Sequence, residues 1–481
     1  MLRMFQHYIN GTWVGSDEAS QNINPSDTND VIGAFARATA VDVDDAVAAA
    51  KEALKTWSHS GPMQRHDLLR RIGAAIFADV DRLGFELSRE QGKTLAEGKG
   101  EATRAGQLFE FYAGETLRME GIKIASIRPG VEIEVTREPV GVVGIIAPWN
   151  YPLAIPAWKI APALAYGNTV VFKPADLVPH SAFLLSKIIA DAGVPKGVFN
   201  LVLGQGRVVG EAILNHDDVN AISFTGSQAV GLHVAQCATK AFPLKKIQLE
   251  LGGKSPLVVL DDADLDIAVG IAVNGAFFGT GQRCTASTRI VVTQGIHDRF
   301  VAAMKIATQA LTVGNALDES TMIGPVVDDK QLAQDLAYIQ IGQKAGAKLI
   351  TGGDVLNRET PGFYLSPAIF TEVQNDMRIA REEIFGPVAS VIRVKDYDAA
   401  LEVANDSDFG LSSGICTTSL KYASDFKRKS ASGMVTVNLP TAGVDFHVPF
   451  GGRKGSSYGA REQGRAAVDF YTVTKTTYIQ P

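Results

Sequence analysis

The chain has 481 residues, 46% of them hydrophobic and 20% charged, with a formal net charge of −6. That length exceeds one hydrophobic core and calls for two or three domains of a soluble globular protein. A mildly acidic chain without a basic cluster excludes nucleic acid as a partner, and no apolar run approaches the roughly 20 residues of a membrane span.

The start, Met1 to Tyr8, lacks the apolar core of a signal peptide. Cys237, Cys284 and Cys416 are widely separated, which rules out a disulfide framework and a CxxC metal site. The histidines are scattered, without an HExxH run, so the expectation is a reducing, cytoplasmic, metal-free protein.

Residues 5–40 alternate short apolar pieces with turn signals such as Asn10-Gly11 and Asn24-Pro25, the pattern of a meander around a larger body. From Val41 to Met119 the pattern is helical, with Leu68, Leu69, Ile72, Ile76 and Val80 at helical spacing. Residues 121–140 turn β-branched around Pro129-Gly130, a hairpin signal, and the tail from Phe470 to Ile479 reads the same way. These two pieces are expected to share a small projecting sheet.

Between Val140 and Leu251, strands at 142–147, 169–173, 198–203, 221–224 and 246–251 alternate with helices, which predicts a parallel sheet with crossovers. Residues 255–435 repeat the alternation at wider spacing. The chain therefore divides into a dinucleotide-binding domain (1–120 and 139–250), a catalytic domain (251–440) and an arm (121–138 and 460–481).

The candidate sites lie at strand ends. Asn150, between Pro148 and Pro152, has little backbone freedom, and its amide is a candidate oxyanion donor, with an ordinary Asx turn as the alternative. Lys173 and Asp176 could hold ribose hydroxyls or form a surface pair. Gly204-Gln205-Gly206-Arg207-Val208-Val209-Gly210 follows a strand as a dinucleotide loop should, but its third glycine falls one residue late. Phe224-Thr225-Gly226-Ser227 precedes a helix, where a pyrophosphate or a plain N-cap would sit. Glu250, between Leu249 and Leu251 before Gly252-Gly253, should have a raised pKa suited to a general base. Cys284 follows Gly279 and Gly281 and adjoins Arg283, whose charge should favour a thiolate; Cys237 and Cys416 are assigned to packing.

The order of Pro148-Trp149-Asn150, Phe172-Lys173-Pro174, Phe224-Thr225-Gly226-Ser227, Leu249–Lys254, Gly281–Cys284, Glu383-Ile384-Phe385-Gly386-Pro387 and Pro449–Gly452 resembles the aldehyde dehydrogenase superfamily over essentially the whole chain. The resemblance implies an α/β fold with a Rossmann-type cofactor domain, a second α/β catalytic domain and a small β oligomerisation arm. It implies that Cys284 is the nucleophile, Glu250 the base, Asn150 with the Cys284 N–H the oxyanion site, and Glu462 a proton relay. Lys173 and Glu383 would hold the cofactor riboses, Phe385 would pack near the nicotinamide, and Trp149 and Ser227 would contact the pyrophosphate. Ile146, Ala147, Pro148, Ala175, Asp176, Gly206, Gly210, Phe224, Thr225, Gly226, Val230, Leu251 and Gly252 complete the implied cofactor contacts.

Asp176 at the ribose position points to NAD, with NADP as the alternative. The run Asn438–Gly459 is similar to that of bacterial α-ketoglutaric semialdehyde (2,5-dioxovalerate) dehydrogenases of sugar-acid catabolism. That likeness makes an acidic semialdehyde the expected substrate and 2-oxoglutarate the product, with Arg283 and Phe446 as substrate contacts. Succinic or glutaric semialdehyde and broad aliphatic or aromatic aldehydes are the runner-up substrates. A non-catalytic dinucleotide-binding protein and a cofactor-free esterase are the alternative classes. A homodimer or homotetramer is expected through the arm.

Overall fold

The computed structural model describes residues 4–481. Two large sheets meet end to end, and the chemistry lies at their junction.

The first is an eight-stranded sheet. Its parallel centre consists of β1 (Val142–Ile146), β2 (Thr169–Lys173), β3 (Phe199–Leu201), β4 (Ala221–Thr225) and β5 (Lys246–Glu250). In space the order is β5-β4-β1-β2-β3, so the chain reverses its direction of growth between β1 and β4. Ligands of open α/β sheets bind at such a reversal, outside the carboxyl ends of the strands. The residues following β1 and β4 there are Pro148-Trp149-Asn150 and Gly226-Ser227. The strands read as unbroken apolar runs because helices cover both faces; β2, for example, is buried at every position.

Part of the segment expected to form a meander lies on one flank of this sheet. His7–Ile9 pairs antiparallel with β3, and Thr12–Val14 pairs antiparallel with His7–Ile9. At the far edge Ser457-Tyr458 pairs antiparallel with the end of β5, placing Ser457 opposite Glu250. Isolated short strands carry little periodicity, so tertiary partners rather than local pattern decide these edges.

The second sheet has seven strands, in the order 348–351, 368–371, 388–394, 287–293, 255–259, 412–416 and 434–437. Lys348–Thr351 runs antiparallel to Ala368–Thr371, a strand the sequence reading missed. The remaining pairings are parallel. Here the segments carrying Gly252-Gly253, Cys284 and Glu383 enter strands 255–259, 287–293 and 388–394 at their amino ends. The junction therefore sets carboxyl ends of one sheet against amino ends of the other, and only residues 251–254 separate β5 from Ser255.

A third, three-stranded antiparallel sheet joins Ile122–Ala125, Glu132–Pro139 and Thr472–Ile479. No helix among the described residues is long and apolar enough to cross a membrane.

Candidate active site

The loop leading to Cys284 is built on left-handed backbone. Helix α1 (Leu95–Glu115) packs nearby, and α4 (Leu265–Phe277) leads into Gly279, Thr280 and Gly281, with φ of 61°, 56° and 67°. Glycine tolerates this region and threonine does not readily. The Thr280 hydroxyl helps hold it by donating to the Gly324 carbonyl at 3.2 Å. Gly281 is also required by space: a Cβ there would lie 2.3 Å from the Gly386 oxygen. The loop is tethered by Gly279 N, which donates to Glu97 Oε1 at 2.7 Å. Glu97 also completes the capping box of α1 with Thr94.

Cys284 lines a cavity of about 260 Å³ together with Asn150, Trp149, Thr225, Ser227, Gly252, Glu383 and Phe385. Pro148, Gly226 and Leu251 line it too. Burial, then the carboxyl groups of Glu383 and Glu250, push the Cys284 thiol up to about 12, while its own N–H and that of Thr285 point at the sulfur and partly oppose this. The expected thiolate-favouring role of Arg283 is not realised. Its guanidinium donates to the Asn274 and Gly275 carbonyls at the end of α4, so its charge is spent on a helix C-terminus.

Asn150 is buried and donates one amide hydrogen to the Gln282 carbonyl at 3.0 Å, leaving the other for the cavity. Its loop is braced from below. Lys93 Nζ donates to the Asn150 carbonyl at 2.8 Å and pairs with Glu101 at 2.5 Å. Glu101 in turn accepts from Leu153 N and Ala154 N at 2.8 and 3.0 Å, at the first turn of α2 (Ala154–Ala165). A carboxylate there satisfies orphan amides and suits the helix dipole.

Glu250 is 3% exposed and does not line the cavity. Its Oε2 accepts from Ser457 Oγ at 2.6 Å. Burial, with Glu462 nearby, holds its pKa well above the usual carboxylate value, as the sequence suggested. Glu462 is less a free relay than one half of a buried ion pair with Lys159. Lys159 also donates to Ser223 Oγ at 2.9 Å, and Ser223 donates to Gln248 Oε1 at 3.0 Å. This network ties α2, β4, β5 and the C-terminal loop together behind Glu250.

On the opposite wall, Glu383 accepts from Gly253 N at 2.7 Å, and burial raises its pKa to about 7. Phe385 meets Trp149 edge to face at 5.2 Å. Thr225 Oγ1, in the wall, is buried without a hydrogen-bond partner among the described residues. The Ser227 side chain caps helix α3 (Gln228–Lys240) by accepting from Val230 N at 3.5 Å. An orphaned hydroxyl beside a capped helix N-terminus suits a phosphate-bearing ligand.

Lys173 lies outside this cavity, donating to the Pro174 carbonyl at 2.8 Å and to Asp176 at 3.3 Å. It faces the Gly206 loop, where a Cβ would sit 4.0 Å from its Nζ. Gly206–Gly210 forms a wide π turn, which accounts for the displaced third glycine. Ile146 and Phe224 lie at the carboxyl ends of β1 and β4, Ala147 follows β1, Ala175 follows β2, and the exposed Val230 lies in the first turn of the helix after Ser227. Phe446 packs on Phe111 at 6.1 Å, away from the cavity wall.

Sequence reasoning missed Ile155, Gln331 and Gln334, which also line the cavity. Both glutamines donate to the Ile384 carbonyl, at 3.0 and 2.8 Å, and so steady the Glu383–Phe385 turn. Polar residues one turn apart on a surface helix give no signal of this in sequence. Cys237, half-buried, stands 3.6 Å from His233, which is bonded to Glu211 at 2.7 Å, on the surface of α3.

The model of the aldehyde dehydrogenase family matches residues 13–477. The chain is 43% identical to the alpha-ketoglutaric semialdehyde dehydrogenase of Bacillus subtilis, covering 99% of this chain and 98% of that protein. It is 41% identical to the alpha-ketoglutarate semialdehyde dehydrogenase of Haloferax volcanii, with 98% of each covered. A betaine aldehyde dehydrogenase of Rhizobium leguminosarum is 40% identical over 98% of this chain and 96% of its own length. The crystal structure of Staphylococcus aureus betaine aldehyde dehydrogenase in complex with NAD+ superposes with a TM-score of 0.96 at 33% identity, covering 100% of this chain and 95% of that one.

Proposed function

The chain belongs to the aldehyde dehydrogenase family, and from that premise we propose that it oxidises α-ketoglutaric semialdehyde to 2-oxoglutarate with NAD. The convergence of Cys284, Asn150, Glu383 and Phe385 on one cavity, with Glu250 buried behind it, carries the reading of the chemistry. The substrate rests on relatives of that name at 43% and 41% identity.

The orphaned Thr225 hydroxyl, the N-terminus of α3 and the Glu383–Phe385 turn fit a dinucleotide. When bound, NAD supplies the ring that accepts hydride. The Cys284 sulfur bonds to the aldehyde carbon once its proton has left, and the resulting oxyanion is held by the free Asn150 amide hydrogen and the Cys284 N–H. Collapse of that oxyanion expels hydride and leaves an acyl group on Cys284 as a thioester. Glu250 then turns from Ser457, takes a proton from water, and the hydroxide displaces the Cys284 thiolate to release the acid. The raised pKa of Glu250 suits it to hold that proton near neutral pH.

Asp176, with its side chain 40% exposed beside Lys173, favours a ribose 2′-hydroxyl over a 2′-phosphate. The arm sheet leaves Ile122, Ile124 and Ile127 exposed at 61%, 48% and 100%, which favours burial against a second copy and a homo-oligomer.

Relatives named for betaine aldehyde at 40% identity favour a second reading, a dehydrogenase for cationic or neutral aldehydes. Reduction of NAD and of NADP, followed at 340 nm across α-ketoglutaric semialdehyde, betaine aldehyde and pentanal, decides between them. The highest kcat/KM is expected with the acidic semialdehyde and NAD; a higher value with betaine aldehyde refutes the substrate, and one with NADP refutes the cofactor.

A further inference from the structure

Arg104 projects from α1 one turn beyond Glu101, the residue that braces the Asn150 loop. Continuing along that face, Phe111 packs on Phe446. Arg104 thus stands between the oxyanion segment and the loop around residues 444–447. It is only partly exposed, and its hydrogen-bond acceptors are the Val444 carbonyl and Gln463 Oε1, the latter at 2.9 Å.

No carboxylate among the described residues lies within ion-pair distance of it. Glu101 is committed to Lys93, and Asp445 is exposed and acts only at longer range. A cation taken largely out of water normally has an anionic partner, because neutral carbonyl oxygens offset only part of the lost hydration. Arg104 shares a helix face with Glu101, which holds Leu153 N and Ala154 N three and four residues past Asn150, and so stands beside the segment that carries the Asn150 amide. Only Arg283 is held by two carbonyls at a helix end. Arg104 is supported by one loop carbonyl and one amide oxygen, contacts that an incoming carboxylate can join or replace.

Building on the proposed acidic substrate, we infer that Arg104, rather than Arg283, binds the carboxylate at the far end of the semialdehyde. The guanidinium fork suits two-point recognition of a carboxylate, and Arg104 stands one helical turn from Glu101, which braces the Asn150 segment. Because Arg104 also holds the Val444 carbonyl, substrate charge and loop position are coupled at one side chain.

The test compares α-ketoglutaric semialdehyde with pentanal in wild type, Arg104→Met, Arg104→Lys and Arg283→Met, and measures inhibition by 2-oxoglutarate. Loss of a charged hydrogen bond in Arg104→Met should raise KM for the acidic substrate roughly 10- to 100-fold with little change in kcat. KM for pentanal should stay within about threefold, the Ki of 2-oxoglutarate should rise in parallel, and Arg104→Lys should recover part of both. Equal effects on the two aldehydes, or a selective KM increase in Arg283→Met instead, overturn the inference while leaving the substrate reading intact. A wild type that uses pentanal as well as the semialdehyde overturns the substrate reading, and the Arg104 inference with it.

Discussion

Gly253→Ala tests how the two sheets meet at the thiol. A Cβ on Gly253 would stand 2.2 Å from the Cys284 carbonyl oxygen, with Leu411 Cβ on the other side at 3.5 Å. Ordinary contact begins near 3.4 Å, so one backbone must yield by about 1 Å. The yielding atom is main chain, so no side-chain rotation relieves it. If the link moves, Gly253 N loses its bond to Glu383; if the loop moves, Cys284 leaves its place beside Asn150. A displacement of about 1 Å costs roughly 100-fold in rate where reacting atoms must align, and overpacking costs about 1–3 kcal/mol of stability. The assay is kcat/KM for the aldehyde, with the rate of Cys284 alkylation by iodoacetamide and urea unfolding in parallel. Gly270→Ala is the control: Gly270 lies exposed within α4, with nothing within 4 Å of its Cβ position. That change should raise stability by about 0.4–1 kcal/mol and leave activity alone. A Gly253→Ala enzyme with activity near wild type would refute the close approach as a determinant of catalysis.

Glu250→Gln removes the proton acceptor for hydrolysis but not the oxyanion site, so rapid mixing should show a burst of NADH followed by a steady rate lowered roughly 100-fold or more; loss of the burst would place Glu250 in the first step instead. Ser457→Ala deletes the hydrogen bond that lowers the Glu250 pKa against its burial. The carboxyl should then ionise at still higher pH, and the alkaline-rising limb of kcat should shift upward; a downward shift contradicts the assigned bond. Lys159→Met leaves Glu462 buried without its partner, at 1% side-chain exposure, and should destabilise the protein by roughly 3–5 kcal/mol in urea. Adding Glu462→Gln should restore much of that loss, and strict additivity of the two changes would show that the pair is not coupled.

What could be read from the sequence was local in the chain. Asn150, Ser227, Glu250 and Cys284 each follow or precede a strand, so their types and flanking glycines or prolines mark them where they stand. The alternation of apolar runs likewise announces parallel strands from 142 to 250. What escaped depends on residues far apart in sequence. The direction of the Glu250 side chain is set by Ser457 on an edge strand of two residues. The direction of Arg283 is set by the end of α4, and the isolation of Arg104 by where Val444 and Gln463 happen to lie. Rotamers answer to such partners, and no periodicity encodes them. The strand at 368–371, which lies between 348–351 and 388–394, went unread for the same reason.

The segment from Leu251 to Lys254 also has a mechanical meaning. Glu250 is the last residue of one sheet, and Gly253 touches the main chain of Cys284, which enters the other. The proposed base and nucleophile thus sit on separate sheets joined by a very short tether. Any rocking of one sheet on the other changes the gap that water must occupy between carboxylate and thioester.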